Sequence, residues 1–238
     1  MRHTYALIIP ALNEAQSVGL LLGRIPRDLF SQIIVVDNGS QDRTVAVAVA
    51  GGAEVVHEPR RGYGQACWSG LRQVRPSVTA IAFMDADLSD NPKDLAQLVR
   101  RFDHDHWDLV LGSRVLGNPE PGSLTALQRF GNWLSTHLIA LVWHVHFTDL
   151  GPMRIVRRDA LARLNMRDRT FGWTVEMQAR AAQLGLRVCE LPVRYSRRRY
   201  GRSKVSGTVF GSLRAGAKIL WTILLCCLLP LRVSSPQG

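Results

Sequence analysis

Two aspartates with one residue between them, Asp85 and Asp87, directly follow an apolar run, Ala80–Met84. Two carboxylates so spaced at a turn present oxygens to one hard divalent cation. Mg²⁺ or Mn²⁺ held there bridges phosphate oxygens and neutralises a leaving diphosphate. An isolated Asp-Ala-Asp is common in solvated turns, so its surroundings decide. Pro10-Ala11-Leu12-Asn13-Glu14 closes another apolar run, and Val36-Asp37-Asn38-Gly39-Ser40 closes a third. If the three runs are strands of one open α/β sheet, their carboxyl ends converge on one crevice, where such sheets bind ligands. Asp37 is then placed to accept from a nucleotide base or ribose, although Asp-Asn-Gly equally suits a tight turn. Further on, Arg194, Arg197, Arg198, Arg199, Arg202 and Lys204 put six cations within eleven residues. Arginine forks match phosphate oxygens in pairs and lysine adds a point charge. Gly201 beside them permits a loop to close on a donor.

The elements that must position these groups are legible in the pattern. Continuous apolar runs at Tyr5–Pro10, Gln32–Asp37, Ala53–His57, Thr79–Met84 and Asp108–Gly112 predict strands buried on both faces. Helical patterns between them predict an α/β fold, a mostly parallel central sheet with helices on both faces. One helix is expected after Asn13 as N-cap, with Gln16 at the reciprocal capping position and Val18, Leu21, Leu22 and Ile25 inward. Another is expected from Pro92, burying Leu95, Leu98, Val99 and Phe102. Residues 117–122 hold two prolines and two glycines and predict a loop. A long helix over Leu124–His144, a short strand at Met153–Val156, a helix around Val175–Leu184 and a strand over Arg187–Tyr195 complete a catalytic domain over residues 1–207.

Residues 208–238 are expected to form an appended C-terminal helix and tail. Its stretch from Ile219 to Leu229 is apolar all round, eleven residues against the ~20 needed to cross a bilayer. A core helix and an interfacial membrane anchor both fit that pattern. Charge divides along the chain. Residues 1–150 hold 13 Lys and Arg against 15 Asp and Glu, and residues 151–238 hold 17 against 4. The basic second part predicts an anionic partner. Nucleic acid fits poorly, because helix-turn-helix and zinc spacings are absent and the acidic crevice would repel a phosphate backbone. Four cysteines without CxxC spacing, and an N-terminus without a signal-peptide pattern, predict a reducing, cytoplasmic setting.

Five segments give the chain a wider resemblance: IIPALNEA (residues 8–15), VVDNGSQDRT (35–44), RRGYGQA (60–66), FMDADLSDNP (83–92) and LVLGSR (109–114). In that order and spacing they resemble family-2 glycosyltransferases of the GT-A nucleotide-sugar-binding fold. TDLGPMR (148–154), WTVEM (173–177), ELPV (190–193) and RRYGRSK (198–204) resemble the dolichyl- and polyprenyl-phosphate sugar transferase subgroup. The resemblance implies transfer of a hexose, with inversion, from a nucleoside-diphosphate sugar to a polyprenyl phosphate at the cytoplasmic membrane surface. It places Pro10, Asn13, Glu14, Asp37, Gly62, Asp85 and Ala86 at the donor. Asp85 and Asp87 would take the cation, Arg198 and Lys204 would close over the phosphates, and Arg114 and Arg129 would grip the acceptor phosphate. Ser89 stands where the subgroup often has glutamine, which leaves the metal shell incomplete at that position. A family-2 enzyme with a hydroxyl acceptor is the alternative, and it would need a base; Asp149 and Glu176 are the candidates. A sugar-phosphate nucleotidyltransferase would share the sheet and the metal carboxylates but release pyrophosphate.

Overall fold

The computed structural model describes residues 3–201, 209–229 and 231. Lys204, expected in the phosphate clamp, lies outside the described residues. Seven strands form one sheet: β1 (Tyr5–Ala11), β2 (Phe30–Asp37), β3 (Glu54–His57), β4 (Ala80–Phe83), β5 (Leu109–Ser113), β6 (Arg154–Arg157) and β7 (Val188–Pro192). Their order is β3-β2-β1-β4-β6-β5-β7. β6 runs antiparallel to both of its neighbours, while the other pairs are parallel. The expected mostly parallel sheet is therefore present, with one reversed strand in its middle.

Alternation along each strand explains why the runs are apolar without interruption. In β1, Ala6 and Ile8 join a core shared with Ile34, Val36, Ile81 and Phe83. Leu7 and Ile9 face the opposite core, with Val35, Ala82 and Met84. Successive side chains point to opposite faces, so a strand covered on both faces needs apolar residues at every position. Helices α1 (Ala15–Leu22), α2 (Thr44–Ala50) and α4 (Leu95–His104) cover the second face. Helices α3 (Tyr63–Leu71), α5 (Ala126–Trp143), α6 (Arg158–Leu164) and α7 (Trp173–Gln183) cover the first.

One local expectation changes. Asn13 does not cap α1: it sits in the left-handed region at φ 52°, and its side-chain oxygen accepts from Gln41 N–H at 2.7 Å. The first helical amide, Ala15 N–H, is taken by Asp42 from the loop after β2 at 3.1 Å. A donor that a local cap would satisfy is thus satisfied by a neighbouring loop. Helix α3 begins at the Gly62–Gly64 segment, where a Cβ on Gly62 would stand 2.3 Å from the Arg169 carbonyl and one on Gly64 2.5 Å from that of Asp168. Those glycines let the loop at 168–170 lie directly on the helix start.

Helix α8 (Val209–Leu228) packs on α5 and α7. Its Thr222, Ile223 and Cys226 are buried, while Leu220, Trp221, Leu224 and Leu228 are exposed. The helix therefore has an inner face packed in the core and an outer face that exposes apolar side chains. Among the described residues, no helix is long and apolar enough to cross a membrane.

Candidate active site

The carboxyl ends of β1, β2 and β4 open into a cavity of about 300 Å³. β1 and the turn after it contribute Pro10, Ala11, Leu12 and Glu14; the turn after β2 gives Asn38; the start of α3 gives Gly62, Tyr63 and Ala66; the turn after β4 gives Asp85, Ala86 and Asp87. Arg114 enters from the end of β5, Gln128 from α5, and Phe171, Tyr195 and Arg198 from later loops. The three strand ends singled out in the sequence do converge.

Asp85 and Asp87 form the acidic floor. Ser89 N–H donates to Asp87 Oδ1 at 2.9 Å, leaving Oδ2 facing the cavity, where Arg198 Nη1 stands 3.6 Å away. Asp85 Oδ1 is buried without a hydrogen-bond partner among the described residues. Burial and the adjacent Asp87 charge push the Asp85 carboxyl up to about 7, against the pull of Tyr63, Arg114 and Arg154. Asp90, not expected from the sequence, lies beneath this floor. It is 1% exposed with both carboxylate oxygens lacking partners, and burial followed by the Asp85 charge raises its pKa well above the usual carboxylate range. Its signal was its place in Asp85–Asp90, a third carboxylate in one short turn. Ser89 is buried and does not line the cavity.

Asp149 is committed elsewhere. It is 1% exposed and grips Arg114 through Nε and Nη2, both at 2.7 Å, while also accepting the Arg114 and Leu150 amides at 2.8 Å. A carboxylate taking four hydrogen bonds positions an arginine and is poorly placed to take a proton from an acceptor. Arg114 is left with Nη1 for a ligand, its guanidinium lying over the Tyr195 ring at 5.1 Å. Burial opposes the Arg114 charge and the Asp149 pair more than offsets it, so its pKa rises.

Glu176 is likewise occupied. It pairs with Arg180 at 2.8 Å and accepts the Arg167 and Asp168 amides, fixing the loop that carries Phe171 into the cavity. It does not line the cavity itself. The expectation that Asp149 or Glu176 serves as base thus gives way to two buried ion pairs.

Asp37 also falls short of the cavity lining. Its Oδ1 accepts Ser40 N–H at 3.0 Å and its Oδ2 faces His57 at 3.4 Å, the turn role that its neighbours suggested. Asn38 reaches the cavity with its amide already donating to Glu58 and Arg60 carbonyls and accepting Gly62 N–H. Asn13 lines a smaller adjoining cavity with Glu14, Asp42 and Tyr200. Arg129 is exposed in the first turn of α5, one residue beyond Gln128. In the basic run, Arg194 pairs with Asp94 and Arg197 with Glu120, whereas Arg198 points into the cavity.

Carboxylates at the end of β4, a cavity spanning three parallel strand ends and a guanidinium opposite them offer groups for a dication and for an anionic ligand. The sequence of residues 6–164 matches the family described as Glycosyl transferase family 2. The chain is a family-2 glycosyltransferase. It is 39% identical to an uncharacterized glycosyltransferase of Mycobacterium tuberculosis over 211 residues, 88% of this chain and 93% of that one. It is 31% identical to an undecaprenyl-phosphate mannosyltransferase of Micrococcus luteus over 217 residues, 86% of this chain and 88% of the relative. In three dimensions this glycosyltransferase resembles glucosyl-3-phosphoglycerate synthase from Mycobacterium tuberculosis in complex with Mn²⁺, UDP and glucosyl-3-phosphoglycerate. The TM-score is 0.75 with 96% of this chain and 81% of the other covered; at 20% identity the likeness concerns the fold.

Proposed function

We propose that this glycosyltransferase moves a hexose, with inversion, from a nucleoside-diphosphate sugar to a polyprenyl phosphate. The observation that carries the acceptor is a second cavity of about 190 Å³ between α5 and α8, which shares Arg114 and Gln128 with the donor cavity. Leu127, Gly131, Leu150, Ala215, Gly216 and Ile219 make its wall largely apolar. An anionic head at Arg114 with a hydrocarbon tail leading away from it fits that pair of cavities. The similarity to an undecaprenyl-phosphate mannosyltransferase supports the same reading.

The residues present suit a hard divalent cation. Asp85 and Asp87 offer oxygen ligands, and Asp85 Oδ1 and both Asp90 oxygens are buried without hydrogen-bond partners among the described residues, free to face a cation. Among the described residues no three side chains form a complete metal cluster, so diphosphate oxygens would complete the shell. Bound Mg²⁺ or Mn²⁺ supplies charge stabilisation to the departing diphosphate. Arg198, from the opposite wall, adds a fork for the same oxygens. Arg114, held rigid by Asp149, orients the acceptor phosphate through Nη1. A phosphate acceptor is anionic at neutral pH and needs no base, which agrees with the occupation of Asp149 and Glu176 in ion pairs. A hydroxyl acceptor would require a base that neither residue is placed to supply.

The outer apolar faces support attachment to a membrane surface. Phe130, Trp133 and Leu141 on α5 and Trp221, Leu224 and Leu228 on α8 are exposed on two helices packed together. Exposed aromatic and aliphatic groups of this kind suit the bilayer interface. A panel of UDP- and GDP-sugars with polyprenyl phosphate, with and without Mn²⁺, tests the assignment. Lipid-linked sugar and nucleoside diphosphate are the expected products. Pyrophosphate release would point to a nucleotidyltransferase instead, and product with a soluble hydroxyl acceptor alone would remove the lipid.

A further inference from the structure

Arg198 crosses the donor cavity to touch both acidic walls. Nη2 contacts the Glu14 carboxylate, Nη1 stands 3.6 Å from Asp87 Oδ2, and Nε donates to the Tyr200 carbonyl at 2.8 Å. Asp87 Oδ1 is already taken by the Ser89 amide, so the oxygen that Arg198 faces is the one open to a cation. The side chain is 18% exposed, and Glu14 is held in turn by the Ser17 hydroxyl at 2.8 Å. A guanidinium is permanently charged, so it neutralises Asp87 and repels a dication approaching the same oxygen.

We propose that Arg198 stands in for the cation in the nucleotide-free enzyme, so that the metal enters as its complex with the nucleoside diphosphate and not ahead of it. The inference rests on the donor reading given above. A diphosphate offers the guanidinium a bidentate partner at least as good as Glu14 and Asp87, and it brings the dication to replace the charge that Asp87 loses. A bare dication offers the displaced arginine nothing. The guanidinium that would grip the donor diphosphate is thus the same one that pairs with Glu14 and Asp87. Gly201, at φ 67° on the loop that carries Arg198, supplies a conformation that residues with a Cβ rarely adopt.

Mn²⁺ binding to the protein alone, read from the free-ion EPR signal, tests this on wild type, Arg198→Gln and Arg197→Gln, with unfolding midpoints confirming that each variant is folded. Without nucleotide, Arg198→Gln is expected to bind Mn²⁺ about tenfold more tightly than wild type, the order of effect of one adjacent unit charge on a carboxylate. Arg197→Gln, whose side chain pairs with Glu120 outside the cavity, is expected to match wild type. With UDP or GDP present the ranking reverses, because wild type gains the clamp that the glutamine variant lacks. Equal metal-only affinities for wild type and Arg198→Gln overturn the proposal. If the metal-only affinities differ but neither nucleotide enhances Mn²⁺ retention, the donor reading fails instead, and the metal escort with it.

Discussion

Replacing Asp149 with asparagine separates its positioning role from a catalytic one. The carboxylate accepts four hydrogen bonds: two from the Arg114 side chain, one from the Arg114 amide and one from the Leu150 amide. An asparagine retains one oxygen and turns its NH₂ toward two of those donors, so two hydrogen bonds are lost and the Arg114 charge keeps no anionic partner. Removing one member of a buried ion pair costs about 3–5 kcal/mol, and the surviving bonds put this change near the lower end, about 3 kcal/mol. At a urea dependence of roughly 3 kcal/mol per molar for a chain of this size, the unfolding midpoint falls by about 1 M. With Arg114 released, kcat/KM for a lipid-phosphate acceptor is expected to fall about 10²-fold through misplacement alone. The shape of the pH–rate profile should stay as in wild type, because no proton passes through Asp149. A midpoint within experimental error of wild type would refute the energetic reasoning. Loss of the acidic limb from the profile, the limb set by protonation of a base, would show that Asp149 takes a proton after all.

Gly62→Ala places a Cβ 2.3 Å from the Arg169 carbonyl at a φ of 147°, so a loss of about 2 kcal/mol and a raised donor KM are expected, checked by thermal unfolding and initial rates. Burial alone would raise the pKa of Asp168, but its bonds to Lys218 and Thr170 outweigh burial and hold the carboxyl below its ordinary value. Its stabilising contribution is therefore present above about pH 4 and lost as pH falls through the lower folded value. Asp168→Asn should consequently show a shallower loss of stability than wild type in urea titrations between about pH 5 and pH 3. Trp133→Glu with Trp221→Glu should abolish co-sedimentation with anionic vesicles while leaving turnover of a short-chain soluble acceptor within about twofold, since both indoles face outward. Retained co-sedimentation would remove the membrane face from the argument.

The central strands were legible because both of their faces are buried, whereas β3, expected to be covered on both faces, lies at the sheet edge and is partly exposed. Tyr5–Ala11 and Phe30–Asp37 show apolar side chains at nearly every position, a pattern that needs no knowledge of the partner strand. Helices α2 and α6, seven residues each, are too short to show a helical stripe, and α3 is broken up by Gly64 and Gly70. The Gly70 position admits no Cβ, because Ile8 lies 2.7 Å from where it would stand, so its glycine reflects packing on β1. Residue type marked Asp149 and Glu176 as chemically capable, but whether a carboxylate is free depends on which arginine reaches it. Arg114 is 35 residues away from Asp149 in sequence, and no local pattern encodes that meeting. Asp90 was hidden for the opposite reason: its neighbours in sequence drew attention, while its burial without a partner is a property of the folded turn.

The uneven charge of the chain changes meaning once the pairs are known. Part of the basic excess after residue 150 returns to carboxylates of the first part: Arg157 and Arg163 to Asp108, Arg194 to Asp94, Arg197 to Glu120. Those cations close the fold and do not form a free phosphate-binding surface. In and beneath the donor cavity the balance is reversed. Glu14, Asp85, Asp87, Asp90 and Asp149 face Arg114, Arg154 and Arg198, an excess of carboxylates in a largely buried space. Burial and mutual repulsion push Asp85 and Asp90 toward their neutral forms, and a dication arriving with a diphosphate would favour their ionised, ligating forms. The acidic floor and the Arg198 contact therefore favour the same ligand, a metal–nucleotide complex entering as one unit.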